Sequence, residues 1–221
     1  MTEPPAPTAW PPLAARAAGA EDIYRGNPDR FTGPPSRFGR WALAVLRERF
    51  PRGQLLELGC GTGRDARPFA AAGYQVTAVD YSELAIERAR EQLDQPPLVR
   101  FRRMDALSAL RDTLSASLEA VYAHAVYMML PDDELVAVFR EVHRVLHPGG
   151  LHLFAVRSTT DPIAGQGEAV TPDAWRRTPH TAPYRFFRPE AIDALTNLGF
   201  ERVATEFPEG LHFWYVADRR P

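Results

Sequence analysis

From Trp41 onward, short apolar runs alternate with longer stretches in which apolar residues recur every three or four positions. Leu55, Leu56 and Leu58 form a strand-length apolar run, followed by glycines and a helical period through Phe69 and Ala72 that Gly73 can end. Val76 to Val79 reads as a second strand, and Ser82 is a good N-cap for a helix bearing Leu84, Ile86, Ala89 and Leu93. Val99 and Phe101 mark a third strand, and Val121 to Met129 a fourth with its exit loop. Asp132 then starts a helix with Leu135, Val138, Phe139, Val142 and Leu146 on one face, stopped by Pro148-Gly149-Gly150. Leu151, Leu153, Ala155 and Val156 make a fifth strand. A helix from Pro189 to Gly199 and two closing strands near Phe200–Glu206 and Leu211–Ala217 complete the pattern. Strands alternating with helices predict an α/β fold with a doubly wound, largely parallel sheet. Such sheets bind ligands beyond the carboxyl ends of the strands, where strand order reverses.

Two segments fall outside this rhythm. Residues 1–20 carry Pro4, Pro5, Pro7, Pro11 and Pro12 among alanines, which predicts a disordered or loosely packed tail ahead of a single domain over 21–221. Residues 158–187 are long, irregular and rich in Pro, Gly and Thr, the mark of a lid or substrate loop.

Composition narrows the chemistry. Hydrophobic residues make up 45% and charged residues 24%, as in ordinary globular proteins, and no apolar run spans a bilayer or forms a secretory signal. All 26 basic Lys+Arg positions are arginine, so a lysine Schiff base and a Walker A lysine are both excluded. Cys60 is the sole cysteine, which excludes an internal disulfide and a multi-cysteine metal site and points to a reducing cytoplasm. The formal net charge is -2 with arginines dispersed, so no nucleic-acid footprint is visible. His143 and His147, four apart, are expected on one helix face. Arg144 stands where a metalloprotease motif needs glutamate, and no metal is expected.

The informative stretch is Glu57-Leu58-Gly59-Cys60-Gly61-Thr62-Gly63, at the turn from the first strand into the first helix of the alternating pattern. Gly59, Gly61 and Gly63 permit a sharp turn and close approach of a ligand to backbone amides. Arg64 replaces the last glycine of the dinucleotide fingerprint, which counts against a nicotinamide cofactor. Asp80, roughly 20 residues past the first glycine, ends the second strand, where an acid can accept both hydroxyls of a ribose. Asp105 follows the third strand, where it could accept from an adenine amine. Helix capping is the plain alternative for both acids.

Through Glu57–Gly63, Asp80, Asp105-Ala106 and Pro148-Gly149-Gly150, residues 37–157 resemble the class I S-adenosylmethionine-dependent methyltransferases of the small-molecule type. The resemblance implies a mostly parallel seven-stranded Rossmann-like sheet ending in an antiparallel hairpin. It implies a glycine loop with Cys60 against the methionine moiety and Glu57 directed toward its amino group. It further implies ribose on Asp80, adenine on Asp105, and Tyr81, Ala106 and Ala123 beside the donor. The expected activity is methyl transfer to a small-molecule acceptor, which needs alignment at about 3 Å and exclusion of water. His124 and Tyr127, after the fourth strand, are the catalytic candidates. Tyr24, Arg157, His180, Tyr184 and Arg185 are the acceptor-side candidates, Arg157 alternatively forming an ion pair with a neighbouring acid. An NAD(P)-binding oxidoreductase and a non-catalytic adenosyl-binding protein remain as rival readings. The oligomeric state is not legible.

Overall fold

The computed structural model describes residues 10–27, 29, 31–92, 98–177 and 182–221. Seven strands form the main sheet: β1 (Gly53–Leu58), β2 (Tyr74–Asp80), β3 (Val99–Arg103), β4 (Leu118–His124), β5 (Leu146–Arg157), β9 (Glu201–Glu206) and β10 (Phe213–Arg219). Their order is β3-β2-β1-β4-β5-β10-β9, with β1 to β5 parallel and β10 antiparallel to both neighbours. The expected α/β architecture with a closing antiparallel pair is therefore present. The chain winds outward from β1 to β3 and then crosses back to β4, so strand order reverses between β1 and β4, and a crevice opens beyond their carboxyl ends.

The pleat of β1 separates two cores. Leu55 faces one with Val76, Ala78 and Tyr122, while Leu56 and Leu58 face the other with Val121, Val138 and Phe139. The first core is covered by α2 (Arg37–Arg49), α3 (Ala66–Ala71) and α4 (Glu83–Glu91). The second is covered by α5 (Ala106–Asp112), α6 (Asp132–Val145) and α7 (Pro189–Thr196). The near-continuous apolar run of β1 follows from burial on both faces. In α2, Phe38, Ala42 and Leu46 repeat every four residues and are fully buried. Phe38 stacks on Tyr122 at 4.9 Å and leans on Tyr215 at 5.0 Å, which clamps α2 to the sheet.

Three expectations change. Residues 13–20, read as part of a loose tail, belong to α1 (Leu13–Gly26). The prolines end at Pro12, the N-cap, and the following stretch has none. This helix buries Arg16 and Tyr24 instead of an apolar stripe, so hydrophobic periodicity does not reveal it. Second, residues 158–187 contain a small antiparallel sheet of β6 (Glu168–Thr171), β7 (Ala174–Arg176) and β8 (Tyr184–Arg185). Third, α6 ends at Val145, so His147 lies in β5 and does not share a helix face with His143. It meets Glu119, whereas His143 packs on Phe200. Among the described residues, no helix is long and apolar enough to cross a membrane.

Replacing Phe38 by alanine should lower unfolding free energy by about 3–5 kcal/mol, the usual cost of deleting a buried aromatic ring. Denaturant melts resolve this, and a loss below about 1 kcal/mol would show that α2 is not held by its ring stack.

Candidate active site

The crevice at the strand-order reversal is a cavity of about 430 Å3 roofed by α1. Gly59 and Gly61 form its floor, and Gly59, Gly61 and Gly63 all stand in the left-handed region, with φ of 66°, 55° and 75°. A Cβ on Gly59 would stand 2.4 Å from Val126 Cγ2, and one on Gly63 would stand 2.5 Å from Phe101 Cζ. Those two glycines let the loop pack on the protein. At Gly61 a Cβ would rise into the cavity, 2.9 Å from the Tyr24 hydroxyl. Loop amides expected to meet a ligand already have protein acceptors: Cys60 N donates to Val79 O, Gly63 N to Cys60 O, and Gly61 N to Asp80 Oδ2. The loop therefore offers room above Gly61 rather than these three amides.

Acids mark one side of the cavity. Asp80 is buried, takes the amides of Gly61 and Ser82 at 2.9 Å each, and lines the cavity. Burial pushes its carboxyl up to about 6 against the pull of those two amides, and Glu21 adds to the rise. Glu57 is also buried, and its Oε2 has no hydrogen-bond partner among the described residues. Burial, with the nearby Asp65 carboxylate, holds its carboxyl well above the usual range. An orphaned acceptor in a cavity wall is costly unless a ligand supplies the donor. Asp105 lines the cavity while its Oδ1 caps α5 through Ser108 N at 3.0 Å, so the capping alternative holds for part of this side chain. Tyr81 and Ala106 complete that wall. Cys60 lines the cavity, and burial, ahead of Glu57 and Asp80, raises its thiol and keeps it protonated.

The opposite end is built around His124, at the end of β4, which lines the cavity. Its Nδ1 lies 3.4 Å from Asp65 Oδ2, and its ring packs edge-on against Phe38 and Phe213. Asp65 also accepts from Ser36 N and Ser36 Oγ at 2.7 Å and from the Tyr122 hydroxyl at 2.8 Å. Burial alone would raise the Asp65 carboxyl, but the His124 and Ser36 bonds hold it well below the ordinary carboxylate range. Arg157 pairs with Asp161 and lies 4.9 Å from the Phe213 ring centroid and 5.9 Å from that of Tyr184. The ion-pair alternative for Arg157 is thus realised while the residue still faces the cavity.

Four expected site residues lie elsewhere. Gly63 is packed under Phe101. Ala123 faces the second core, because the alternation along β4 sends Ala120, Tyr122 and His124 to the opposite side. Tyr127 is fully buried, with its hydroxyl 2.7 Å from His152 Nε2 in an aromatic cluster; the one-turn 3-10 helix at Tyr127–Met129 rotates it inward. Arg185 is buried in ion pairs with Asp132 and Asp173, under Trp10, so it braces β8 against α6. His180 lies outside the described residues.

Sequence reasoning missed the roof and the hub. Arg16 of α1 reaches Glu134 of α6 through both carboxylate oxygens and the Met129 carbonyl at 3.2 Å. Glu21 accepts from the first amides of α4, and Arg88 donates to the Tyr24 carbonyl at 2.7 Å. Only pairings across more than 60 positions reveal these contacts, and no local pattern encodes them. Asp65 had a local signal, an acid immediately after the glycine turn, but it reads as an ordinary N-cap.

Comparison with known proteins agrees with this geometry. Residues 55–150 match the model of a methyltransferase domain family. The chain is 26% identical over 126 residues to the putative methyltransferase YqeM of Bacillus subtilis, covering 57% of this chain and 50% of that one. It is 30% identical over 138 residues to the trans-aconitate 2-methyltransferase of Deinococcus radiodurans, covering 61% and 50%. The chain thus spans about half the length of these curated relatives. Among solved structures, Burkholderia thailandensis 1,6-didemethyltoxoflavin-N1-methyltransferase, determined with 1,6-didemethyltoxoflavin and S-adenosylhomocysteine, superposes with a TM-score of 0.73 at 22% identity. The match covers 97% of this chain and 92% of that one. The matched methyltransferase domain over residues 55–150 and the shared sheet order together make this chain similar to the class I S-adenosylmethionine-dependent methyltransferases.

Proposed function

We propose that this chain transfers a methyl group from S-adenosylmethionine to a small-molecule acceptor. The observation that carries the reading is one cavity with a buried, unpartnered Glu57 oxygen at one point of its wall and the amide-bound Asp80 carboxylate at another. The donor carries a cationic amino group and a ribose diol, and these are complementary to those two acids.

When bound, S-adenosylmethionine supplies a methyl group already activated by the sulfonium. The residues of the chain bind, orient and exclude water. Glu57 would take the amino group and end its own orphaned state. Asp80 retains acceptor capacity beyond its two amides for the ribose hydroxyls. Asp105 stands where the adenine edge would lie, and Tyr24 closes the space above Gly61. The roof is anchored at both ends, by Arg16 on Glu134 and by Glu21 on α4. A closed, largely apolar chamber favours displacement because water can neither compete as acceptor nor screen the charges.

A small acceptor fits the remaining volume beside His124, Arg157, Tyr184 and Phe213 better than a polymer does, because α1 and β8 border that space. Two of the relatives are named for small molecules, trans-aconitate and 1,6-didemethyltoxoflavin, while another is named for a tRNA cytidine.

Asp80→Ala should weaken binding of S-adenosylhomocysteine by about 1–3 kcal/mol, the range for hydrogen bonds to a charged group. Unchanged affinity by calorimetry would remove the ribose role. Affinity should also depend on pH. Asp80 titrates near 6 in the free protein, and the hydroxyls and amides need its ionised form. Affinity should therefore be level above that pH and fall by up to about tenfold per unit below it, because ligand and proton compete for one carboxylate. Calorimetry from pH 5 to 8 measures the slope, and a flat profile would contradict the assignment.

A further inference from the structure

Asp65 and His124 form a pair whose arrangement specifies the acceptor's chemistry. This inference rests on the methyl-transfer reading and concerns the acceptor end of the same cavity. Asp65 is ionised and takes four donors: Ser36 N, Ser36 Oγ, the Tyr122 hydroxyl and His124 Nδ1. An ionised carboxylate only accepts, so Nδ1 of the neutral ring carries the hydrogen and Nε2 is left with its lone pair. Among the described residues no hydrogen bond engages Nε2, and the ring lines the cavity. A separation of 3.4 Å is long, as such bonds often are before substrate binds, and closure shortens them. Phe38 meets the ring edge-on at 5.4 Å and Phe213 at 5.9 Å.

Two aromatic rings, Phe213 and Tyr184, line the wall beside it. Phe213 lies under the Arg157 guanidinium, which also lies over Tyr184, and all three face the cavity. Soft nucleophiles that ionise unaided have no need of an oriented base, whereas a hydroxyl on an aromatic ring gains from one.

We propose that the acceptor is an aromatic compound bearing an O–H group, that His124 Nε2 is the base that removes its proton, and that Asp65 is the positioning residue that fixes the tautomer and ring. In the step, the acceptor oxygen forms a bond to the methyl carbon as the carbon–sulfur bond breaks. Both electrons of that bond remain on sulfur, which becomes a neutral thioether. The hydroxyl proton passes to Nε2, and the imidazolium returns it to solvent after product release.

The test uses the full-length protein, S-adenosylmethionine and a series of substituted phenols of graded acidity, with thiophenol as an acceptor that ionises unaided. Wild type should methylate the phenols. His124→Gln should lose about 100- to 10,000-fold in kcat on weakly acidic phenols, the usual worth of general base catalysis. On nitrophenols already ionised at the assay pH, and on thiophenol, the loss should stay within about tenfold, because no proton needs removing. Affinity for S-adenosylhomocysteine should be unchanged.

The pH profile gives a second readout. The titratable and charged groups facing the imidazole and its partner are Asp65 and Arg64 on the loop, Tyr122 on β4, Glu57 on β1, Arg157 on β5 and Tyr215 on β10. Asp65→Asn removes the charge that favours imidazolium, so the acidic limb of kcat/KM should move to lower pH, with kcat reduced and the KM for donor preserved. A purely structural Asp65 would leave that limb in place.

An equal loss by His124→Gln across the whole acidity series would overturn the proposal, as would no loss at all or turnover of thiophenol without any phenol. Should Asp65→Asn fail to fold, the acidity series with His124→Gln decides alone. Absence of S-adenosylhomocysteine binding to wild type would instead overturn the methyl-transfer reading itself.

Discussion

A single buried carboxylate organises the His124 end of the cavity. Asp65 occupies the N-cap position of α3 yet makes no capping bond there. Its oxygens are directed to Ser36, Tyr122 and His124 instead. Ser36 in turn caps α2 through Gly39 N at 2.8 Å, so one acid joins the start of α2, the glycine loop and the end of β4. A Cβ on Gly39 would stand 2.6 Å from Asp65 Oδ1, which explains the glycine in the first turn of α2. Each bond to a charged group contributes about 1.5–3 kcal/mol at most, but loss of one partner leaves a buried charge short of donors. The arrangement stands or falls as a unit, which makes it suited to fixing His124.

The sheet was legible because its signals are local. Apolar runs at β1, β2 and β5, glycine punctuation and the Ser82 cap all act within a few residues, and each lies where the pattern put it. That Glu57, Gly59, Gly61 and Asp80 line one cavity was legible for the same reason, since they lie at or just after strand ends whose positions the pattern defines. The roof was illegible. Arg16 is buried against a residue more than 100 positions away, and a helix held by ion pairs and carbonyl contacts leaves no apolar period to detect. Tyr127 shows a different limit. Proximity to the end of β4 suggested a site residue, but in the one-turn 3-10 helix Tyr127 is fully buried in the core while its neighbour Met128 reaches the cavity.

The two aspartates on either side of the glycine turn clarify why burial alone does not define a role. Both are buried acids within reach of the same loop, and desolvation pushes both upward. Asp65 has four donors and is held ionised far below its usual range. Asp80 has only two amides, with Glu21 nearby, and remains near 6. The fully satisfied acid has little capacity left for a ligand and serves to hold other protein groups. The partly satisfied acid still has acceptor capacity facing the cavity and gains from any ligand hydroxyl that approaches. Glu57 extends the series, since its Oε2 has no donor at all and its carboxyl lies well above the normal range. Ranked by unmet acceptor capacity, the acids fall in the order Glu57, Asp80 and Asp65. The same order separates acids with acceptor capacity left toward the cavity from the one whose bonds hold Ser36, Tyr122 and His124 together.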